Sequence, residues 1–192
     1  MNTSIKRILT VLIIVLLSLA VGFGIDLAWE SIERRLYPRS YEEIIADASA
    51  EFDVPAELLY ATVKVESDFD PEAVSKAGAV GLMQMVPDTF LWLTGDEHLG
   101  EHLPQSRLTD PEVSIRYGTY YLAYLYRYFD YNWHHAIAAY NGGMGNVAKW
   151  LENPEYIDDE GNLKHIPFSE TRAYVKKVEK AQEMYLKFYN HT

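Results

Sequence analysis

The pattern of apolar residues begins with an unbroken segment near the N-terminus. Residues 8–25 read ILTVLIIVLLSLAVGFGI and carry no charge. At 1.5 Å per residue this segment rises about 27 Å, close to the thickness of the hydrocarbon core of a bilayer. Because Lys6 and Arg7 precede it and Asp26 follows, the positive-inside rule predicts a cytoplasmic N-terminus and an exported remainder.

Two interpretations of this segment are open, a retained transmembrane anchor and a cleaved signal peptide. The segment is longer than the usual signal-peptide core, and only Ala20-Val21-Gly22 loosely resembles a cleavage site, so the anchor is favoured. We therefore predict a transmembrane helix over residues 1–25, a linker or short amphipathic stretch over 26–40, and a folded domain over 41–192. In this arrangement the chain crosses the cell membrane once and the domain lies outside the cytoplasm.

The pattern after residue 40 is helical. Apolar residues in 41–52 recur every three or four positions, which is typical of an amphipathic helix. Pro55, Pro87 and Pro111 each predict the first turn of a helix, and Ser169 is predicted to cap the last one. The sequence contains no alternating strand pattern and no internal repeat. It predicts a mainly α fold, a single domain that follows the N-terminal helix.

Composition narrows the classes of function. The formal net charge is -11, and an acidic chain is a poor partner for nucleic acid, whose affinity comes largely from Lys and Arg on phosphates. The chain has no Cys, which excludes disulfides, thiolate metal sites, a Cys nucleophile and a lipid-modified N-terminal Cys. About half of the residues are apolar, so the chain can bury a core of ordinary size.

One acidic residue interrupts an apolar helix face. In the helix predicted to start at Pro55, a spacing of 100° per residue places Leu59, Thr62, Val63 and Glu66 on one narrow face. A carboxyl there is partly withdrawn from water, which raises its pKa and keeps it protonated near neutral pH. A general acid needs that property. The alternative interpretation is a boundary glutamate that caps a loop.

Three sequence blocks follow Glu66-Ser67 in order: GAVGLMQ over 78–84, AAYNGGMGNV over 138–147 and PFSETRAYV over 167–175. Together they resemble the family-1 lytic transglycosylases, whose catalytic domain has a fold like that of goose-type lysozyme. The resemblance covers roughly residues 41–190. Gly143 and Met144 depart from the usual Ala and Pro of the second block, in a turn where both changes are mild.

The resemblance implies a set of site residues. Glu66 corresponds to the single catalytic glutamate of the family. The positions implied to bind substrate are Ser75, Met83, Gln84, Tyr140, Asn141, Glu170 and Tyr174. Met83 is implied as an apolar wall of the cleft, with a place in the core as an equal alternative. Neither a metal nor another cofactor is expected.

The resemblance also implies an activity, the cleavage of the β-1,4 bond between N-acetylmuramic acid and N-acetylglucosamine in peptidoglycan with formation of a 1,6-anhydro sugar. The implied partners are the glycan strands, while the predicted N-terminal anchor adds the membrane and would suit an enzyme that works with assembly proteins of the cell envelope. Two alternatives on the same scaffold are a muramidase that admits water and an inactive glycan-binding domain.

Two further patterns have simple structural interpretations. Residues 98–102 match the zinc-peptidase pattern H-x-x-E-H, but they include Gly100, lie in a short polar segment and have no evident third ligand. The tyrosines at 117, 121, 124 and 128 follow a helical spacing, so we expect most of them in the core and one or two against sugar.

Overall fold

The structure is a computed structural model that describes residues 3–189, without the side chains of residues 3–6, 8, 9, 11, 26, 27 and 30. The chain divides into two compact units, Met1–Pro38 and Arg39–Thr192.

The first unit contains one helix, α1 (Thr3–Leu36). It covers the predicted membrane segment and continues through most of the predicted linker, because residues 26–36 contain neither Gly nor Pro. Pro38 follows its end, and the residue before a proline disfavours the helical conformation. Among the described residues, no helix has the length and apolar character needed to cross a membrane. The predicted segment falls partly outside this description, at the side chains of residues 8, 9 and 11.

The second unit is helical, as predicted. Its helices are α2 (Glu42–Phe52), α3 (Ala56–Ser67), α4 (Pro87–Leu93), α5 (Pro111–Tyr128), α6 (Trp133–Gly142), α7 (Met144–Leu151) and α8 (Ser169–Tyr189), with a short 3₁₀ helix at Gln105–Thr109. In the described part of the chain, β structure is limited to isolated bridges such as Val74 with Val80. The prediction of a mainly α fold is therefore confirmed.

Most of the predicted helix starts agree with the structure within a residue. Pro87 and Pro111 are the first residues of α4 and α5, while Pro55 takes the cap position before α3. At α8 the predicted cap residue, Ser169, is instead the first residue of the helix. The carbonyl of Phe168 accepts the first helical bond from the Arg172 N–H (2.9 Å), so Phe168 rather than Ser169 is the cap residue.

Helix α3 is buried through its middle. It packs against α8 and α2, while α5 packs against α2 and α6. Every residue from Leu58 to Val63 is buried, so the middle of α3 is enclosed on all sides and not on one face alone. Glu66 lies in the last turn, where this enclosure ends and the chain enters the loop to α4.

Two glycines allow that loop to pack closely against its neighbours. At Gly81 the backbone φ is +82°, and an added Cβ would lie 2.0 Å from the Leu108 carbonyl oxygen. At Gly118, on α5, an added Cβ would lie 2.4 Å from the sulfur of Met83. Real Cβ atoms do not approach this closely, so the fold needs a glycine at both positions to bring the 81–84 turn beside α5.

Candidate active site

Glu66 is held in a mostly apolar setting by one hydrogen bond. The hydroxyl of Tyr174, on α8, donates to Oε1 of Glu66 at 2.7 Å. Burial raises the pKa of Glu66 to about 7, while the Tyr174 hydrogen bond favours the charged form and opposes that rise. The raised pKa agrees with the expectation that this carboxyl is partly withdrawn from water.

The acidic residues that follow Glu66, Asp68 and Asp70, are exposed and have partners of their own. Asp68 is exposed and forms an ion pair with Lys64. Asp70 is also exposed, and its side chain accepts a hydrogen bond from the Glu72 N–H at 3.0 Å. A carboxyl with a pKa near 7 therefore stands beside two carboxylates that are solvated and engaged elsewhere.

Ser67, for which the sequence predicted no role, joins the end of α3 to the 81–84 turn. Its hydroxyl donates to the carbonyl of Leu82 at 2.8 Å. Since Ser67 directly follows Glu66, this bond fixes the position of the Glu66 backbone relative to the turn. Its place next to the key carboxyl was the one sequence signal that could have identified it.

Ser75 and Gln84, both expected to contact sugar, organise the loop between α3 and α4. The Nε2 of Gln84 donates to the carbonyls of Ala73 and Gly81, each at 2.9 Å. The Ser75 hydroxyl accepts from the Ala79 N–H at 3.0 Å. Both side chains are half-buried, so each also presents surface to solvent.

Of the two interpretations of Met83, cleft wall and core, the structure has the side chain in the core. The resemblance implied an apolar cleft wall, but the Met83 side chain is completely buried, with its sulfur against Gly118. The Met83 N–H donates to the Ser114 hydroxyl at 3.2 Å, and its carbonyl accepts from the Tyr140 hydroxyl at 2.9 Å. Met83 thus contributes backbone groups to this region while its side chain belongs to the core.

Tyr140 and Asn141 meet Gln84 at a cavity of about 170 Å³. Burial raises the pKa of Tyr140 well above its ordinary value, so its hydroxyl stays protonated. Tyr121 also lines the cavity, and its ring centroid lies 5.4 Å from that of Tyr140. The remaining lining residues are Met85, Val86, Thr89 and Gly143.

Glu170 lies at a second cavity, of about 510 Å³. Residues 167–171 line it together with Asn141 and Gly142. Glu170 and Asn141 are both exposed. Asn141 lines both cavities, so Gln84, Tyr140, Asn141 and Glu170 border adjoining cavities, whereas Glu66, Ser75 and Tyr174 line neither of these two.

The H-x-x-E-H residues do not converge on a common point. His98 Nδ1 lies 3.1 Å from the Tyr120 hydroxyl, and Glu101 forms an ion pair with Arg116 at 2.6 Å. His102 contacts an aspartate of its own loop. Each of the three side chains thus has a separate partner, an arrangement that gives no support to the zinc-peptidase alternative.

The family of the chain follows from this fold and from comparison with known proteins. The model of the family described as the transglycosylase SLT domain matches residues 43–161. That match covers more than half of the chain, and the chain belongs to this family.

Two relatives illustrate the range of similarity. The soluble lytic murein transglycosylase of Escherichia coli strain K12 is 36% identical over 151 residues, which cover 78% of this chain and 23% of the relative. The membrane-bound lytic murein transglycosylase C of Photorhabdus laumondii is 31% identical over 193 residues, covering 84% of this chain and 53% of the relative. The chain thus spans between about a quarter and a half of the length of these relatives.

A solved structure agrees with the same fold. The crystal structure of the 70 kDa soluble lytic transglycosylase of Escherichia coli matches with a TM-score of 0.73 and 35% identity, over 79% of this chain and 25% of that one. A structure of a 70 kDa soluble lytic transglycosylase in complex with bulgecin A also matches, with a TM-score of 0.73 and 35% identity. At 35% identity the two chains are similar in sequence as well as in fold.

Proposed function

We propose that this chain is a peptidoglycan lytic transglycosylase that cleaves the β-1,4 bond between N-acetylmuramic acid and N-acetylglucosamine. The observation that carries the proposal is the Glu66 carboxyl, whose pKa burial raises to about 7 and whose Oε1 accepts from Tyr174. Family membership supports the same activity, because both relatives are lytic murein transglycosylases.

In the first step Glu66 acts as an acid. Protonated Glu66 donates its proton to the glycosidic oxygen as the bond from that oxygen to C1 of the muramic acid breaks. The leaving sugar departs as an alcohol, and positive charge develops at C1. The N-acetyl group of the substrate can stabilise this charge. A carboxyl with a pKa near 7 is protonated often enough at neutral pH to perform this step.

In the second step the Glu66 carboxylate acts as a base. It takes the proton from the C6 hydroxyl of the same muramic acid, and the oxygen of that hydroxyl forms a bond with C1. The product is a 1,6-anhydro sugar, Glu66 is protonated again, and no water is consumed. Because the attacking oxygen belongs to the substrate, the step gains the advantage of an intramolecular reaction.

The exposed positions of Asp68 and Asp70 support this scheme over hydrolysis by two carboxylates. An inverting hydrolase needs a second carboxylate as a base for water, and a retaining hydrolase needs one as a nucleophile. Both aspartates lie beyond the end of α3 and have other partners. The reaction that fits one buried carboxyl is therefore the intramolecular one.

The other site residues have proposed roles as substrate contacts. Tyr174 orients Glu66, while Tyr140 and Asn141 line the cavity where the sugar next to Glu66 would bind. Ser75, Gln84 and Glu170 supply polar groups around it. Met83 supports the site from the core, through its carbonyl on Tyr140.

The product distinguishes the proposal from its alternatives. Incubation with purified peptidoglycan should release muropeptides with 1,6-anhydro ends, lighter by one water than hydrolysis products, as measured by mass spectrometry. Ordinary reducing ends would identify a muramidase instead. Wall binding without any product would identify a glycan-binding scaffold.

Glu66→Gln should lower the rate of product release by about a hundred- to ten-thousandfold, the usual contribution of general acid–base catalysis. The amide has nearly the shape of the carboxyl but has no proton to donate at neutral pH. Asp70→Asn is the matched control, because that carboxylate is exposed and should not affect the rate. A Glu66→Gln enzyme with near-normal turnover would refute the assignment.

We also propose that the N-terminal segment is a retained anchor and that the catalytic unit lies outside the cytoplasm. Support comes from the run of uncharged residues at 8–25, from Lys6 and Arg7 before it, and from the membrane-bound relative. From Leu12 to Ile25 the large apolar side chains of α1 are exposed, as the surface of a helix in lipid would be.

A further inference from the structure

A cavity of about 430 Å³ lies where α5 ends and α6 begins. The end of α7 and the loop before α8 complete its walls, and Phe129, Asp130, His135, Leu151, Glu160 and Asn162 are among its lining residues. It shares no lining residue with the two cavities of the candidate active site. We call it the α5–α6 cavity, and its volume is in the range usual for small-molecule sites.

Side-chain hydrogen bonds hold the walls of the α5–α6 cavity together. The Oδ1 of Asn132 accepts from the His135 N–H at 3.1 Å, and its Nδ2 donates to Oδ1 of Asn162 at 2.8 Å. The Leu163 N–H donates to Nε2 of His135 at 3.2 Å. These bonds join the start of α6 to the loop before α8, so the cavity is a built part of the fold.

His135 has an unused hydrogen-bond donor at this cavity. The residue is 6% exposed, and burial lowers its pKa below the usual value, so the ring is uncharged near neutral pH. Because Nε2 accepts from Leu163, the uncharged ring carries its hydrogen on Nδ1. Within the described part of the chain this N–H has no partner. A ligand with an acceptor group would satisfy it.

Two carboxylates at the same cavity favour a cation. Asp130 and Glu160 are exposed, and among the described residues neither carboxylate has a hydrogen-bond or ion-pair partner. No three His, Cys, Asp or Glu residues of the described chain are arranged to hold a metal ion. An organic ammonium, which needs only one or two carboxylates, therefore fits better than a metal.

The remaining wall is apolar. Phe129 is buried and Leu151 is half-buried, and both line the cavity. An alkyl chain could therefore pack against these two side chains while its polar end meets His135 and the carboxylates.

We propose that the α5–α6 cavity binds an α-amino acid head group, which is an ammonium and a carboxylate on one carbon. The ammonium meets Asp130 and Glu160, the carboxylate accepts from Nδ1 of His135, and the attached alkyl chain lies against Phe129 and Leu151. Free amino acids carry this group, and so does the side chain of diaminopimelate in the stem peptides of peptidoglycan. Only the second source rests on the proposed function.

Binding to full-length protein with Glu66→Gln tests the site without turnover. Calorimetry should detect binding of meso-diaminopimelate. Pimelate, which lacks both ammonium groups, and cadaverine, which lacks both carboxylates, should each bind at least about tenfold more weakly.

Asp130→Asn should weaken the binding of meso-diaminopimelate roughly tenfold, because it removes one charged partner of the ammonium. Asparagine readily adopts the left-handed backbone of this position (φ 52°), so the turn should be kept. Glu160→Gln should act in the same direction. Glu155→Gln is the matched control, an exposed carboxylate of the same loop outside the cavity, and should leave the affinity unchanged.

A disaccharide tripeptide with a free diaminopimelate side chain separates the two sources. If the wall is the source, it should bind at least as tightly as meso-diaminopimelate and lose affinity with Asp130→Asn. Binding of meso-diaminopimelate with no effect of Asp130→Asn on the tripeptide would assign the site to free amino acids.

The proposal is overturned if meso-diaminopimelate does not bind, or if pimelate or cadaverine binds as tightly. It is also overturned if Asp130→Asn and Glu160→Gln both keep the full affinity for meso-diaminopimelate. Because binding is measured without turnover, absence of 1,6-anhydro products would count against the proposed reaction and not against this site.

Discussion

At the scale of single residues, the proton on Glu66 is subject to two opposing effects. Burial disfavours the carboxylate and raises its pKa to about 7, while the Tyr174 hydroxyl at 2.7 Å favours the carboxylate. The resulting pKa leaves both the protonated and the ionised form of Glu66 populated near neutral pH. The proposed reaction needs both, because Glu66 gives up a proton in one step and takes one back in the next.

Tyr174→Phe should shift the pH profile of the enzyme upward. The change removes the hydrogen bond that lowers the pKa of Glu66, so that pKa should rise above about 7. Since protonated Glu66 performs the first step, the alkaline limb of kcat/KM should move to higher pH. The measurement is kcat/KM for release of soluble muropeptides between pH 5 and 9.

The control for this shift is Tyr126→Phe, which removes the hydroxyl of a tyrosine that stacks on Trp133 at 3.7 Å. Its pH profile should match that of the original protein. If Tyr174→Phe lowers the rate equally at every pH, then Tyr174 positions substrate or Glu66 without tuning its pKa.

At the scale of elements, the end of α3 is joined to a loop that α5 supports. Ser67 binds the carbonyl of Leu82 at the start of that connection, and Met83 lies against Gly118 at its end. The loop is thus fixed both to α3, which carries Glu66, and to α5. A change in the packing of α5 should therefore affect the site as well as stability.

Gly118→Ala should destabilise the protein by about 1–2 kcal/mol. The new Cβ would lie 2.4 Å from the Met83 sulfur, and this overpacking outweighs the gain in helix propensity. Gly145→Ala on α7 is the matched control. An added Cβ there meets nothing within 4 Å, so it should stabilise the protein by about 0.5–1 kcal/mol.

Urea unfolding followed by circular dichroism measures both free energies of unfolding. If Gly118→Ala stabilised the protein as much as Gly145→Ala, then α5 would be able to move away from the 81–84 turn without a cost in free energy. In that case the close approach at Gly118 would not be needed for the fold.

At the scale of the whole molecule, local patterns predicted the helices and the setting of Glu66, and distant contacts decided the rest. Proline positions placed the starts of α4 and α5, and helical spacing placed Glu66 among buried residues. Helical spacing could not show that the Met83 side chain is buried, because Met83 lies in a turn and not in a helix. The Gln84 N–H donates to the Gly81 carbonyl across this turn, and the backbone of Gln84 is left-handed (φ 44°). Nor could helical spacing show that the rings of Trp92 and Tyr121 lie 6.5 Å apart, since that contact depends on how α4 and α5 pack.

The division of the chain at Pro38 predicts that residues 39–192 fold alone, because this unit contains its own core. The isolated unit should unfold cooperatively and release muropeptides from soluble glycan strands at the rate of the full chain. The full chain should stay in the membrane pellet after alkaline carbonate extraction, while the isolated unit should stay in solution. Recovery of a soluble protein that lacks its N-terminal residues would identify a signal peptide.

The fixed geometry of Gln84 has a consequence for how such a domain can evolve. Its backbone is left-handed and both of its amide hydrogen bonds hold the loop, so most replacements would lose several interactions at once. Asn141 and Glu170 border the same stretch of surface but are exposed, so they can change one at a time. We expect new ligand preferences to arise through these two positions, while Gln84 tolerates little variation.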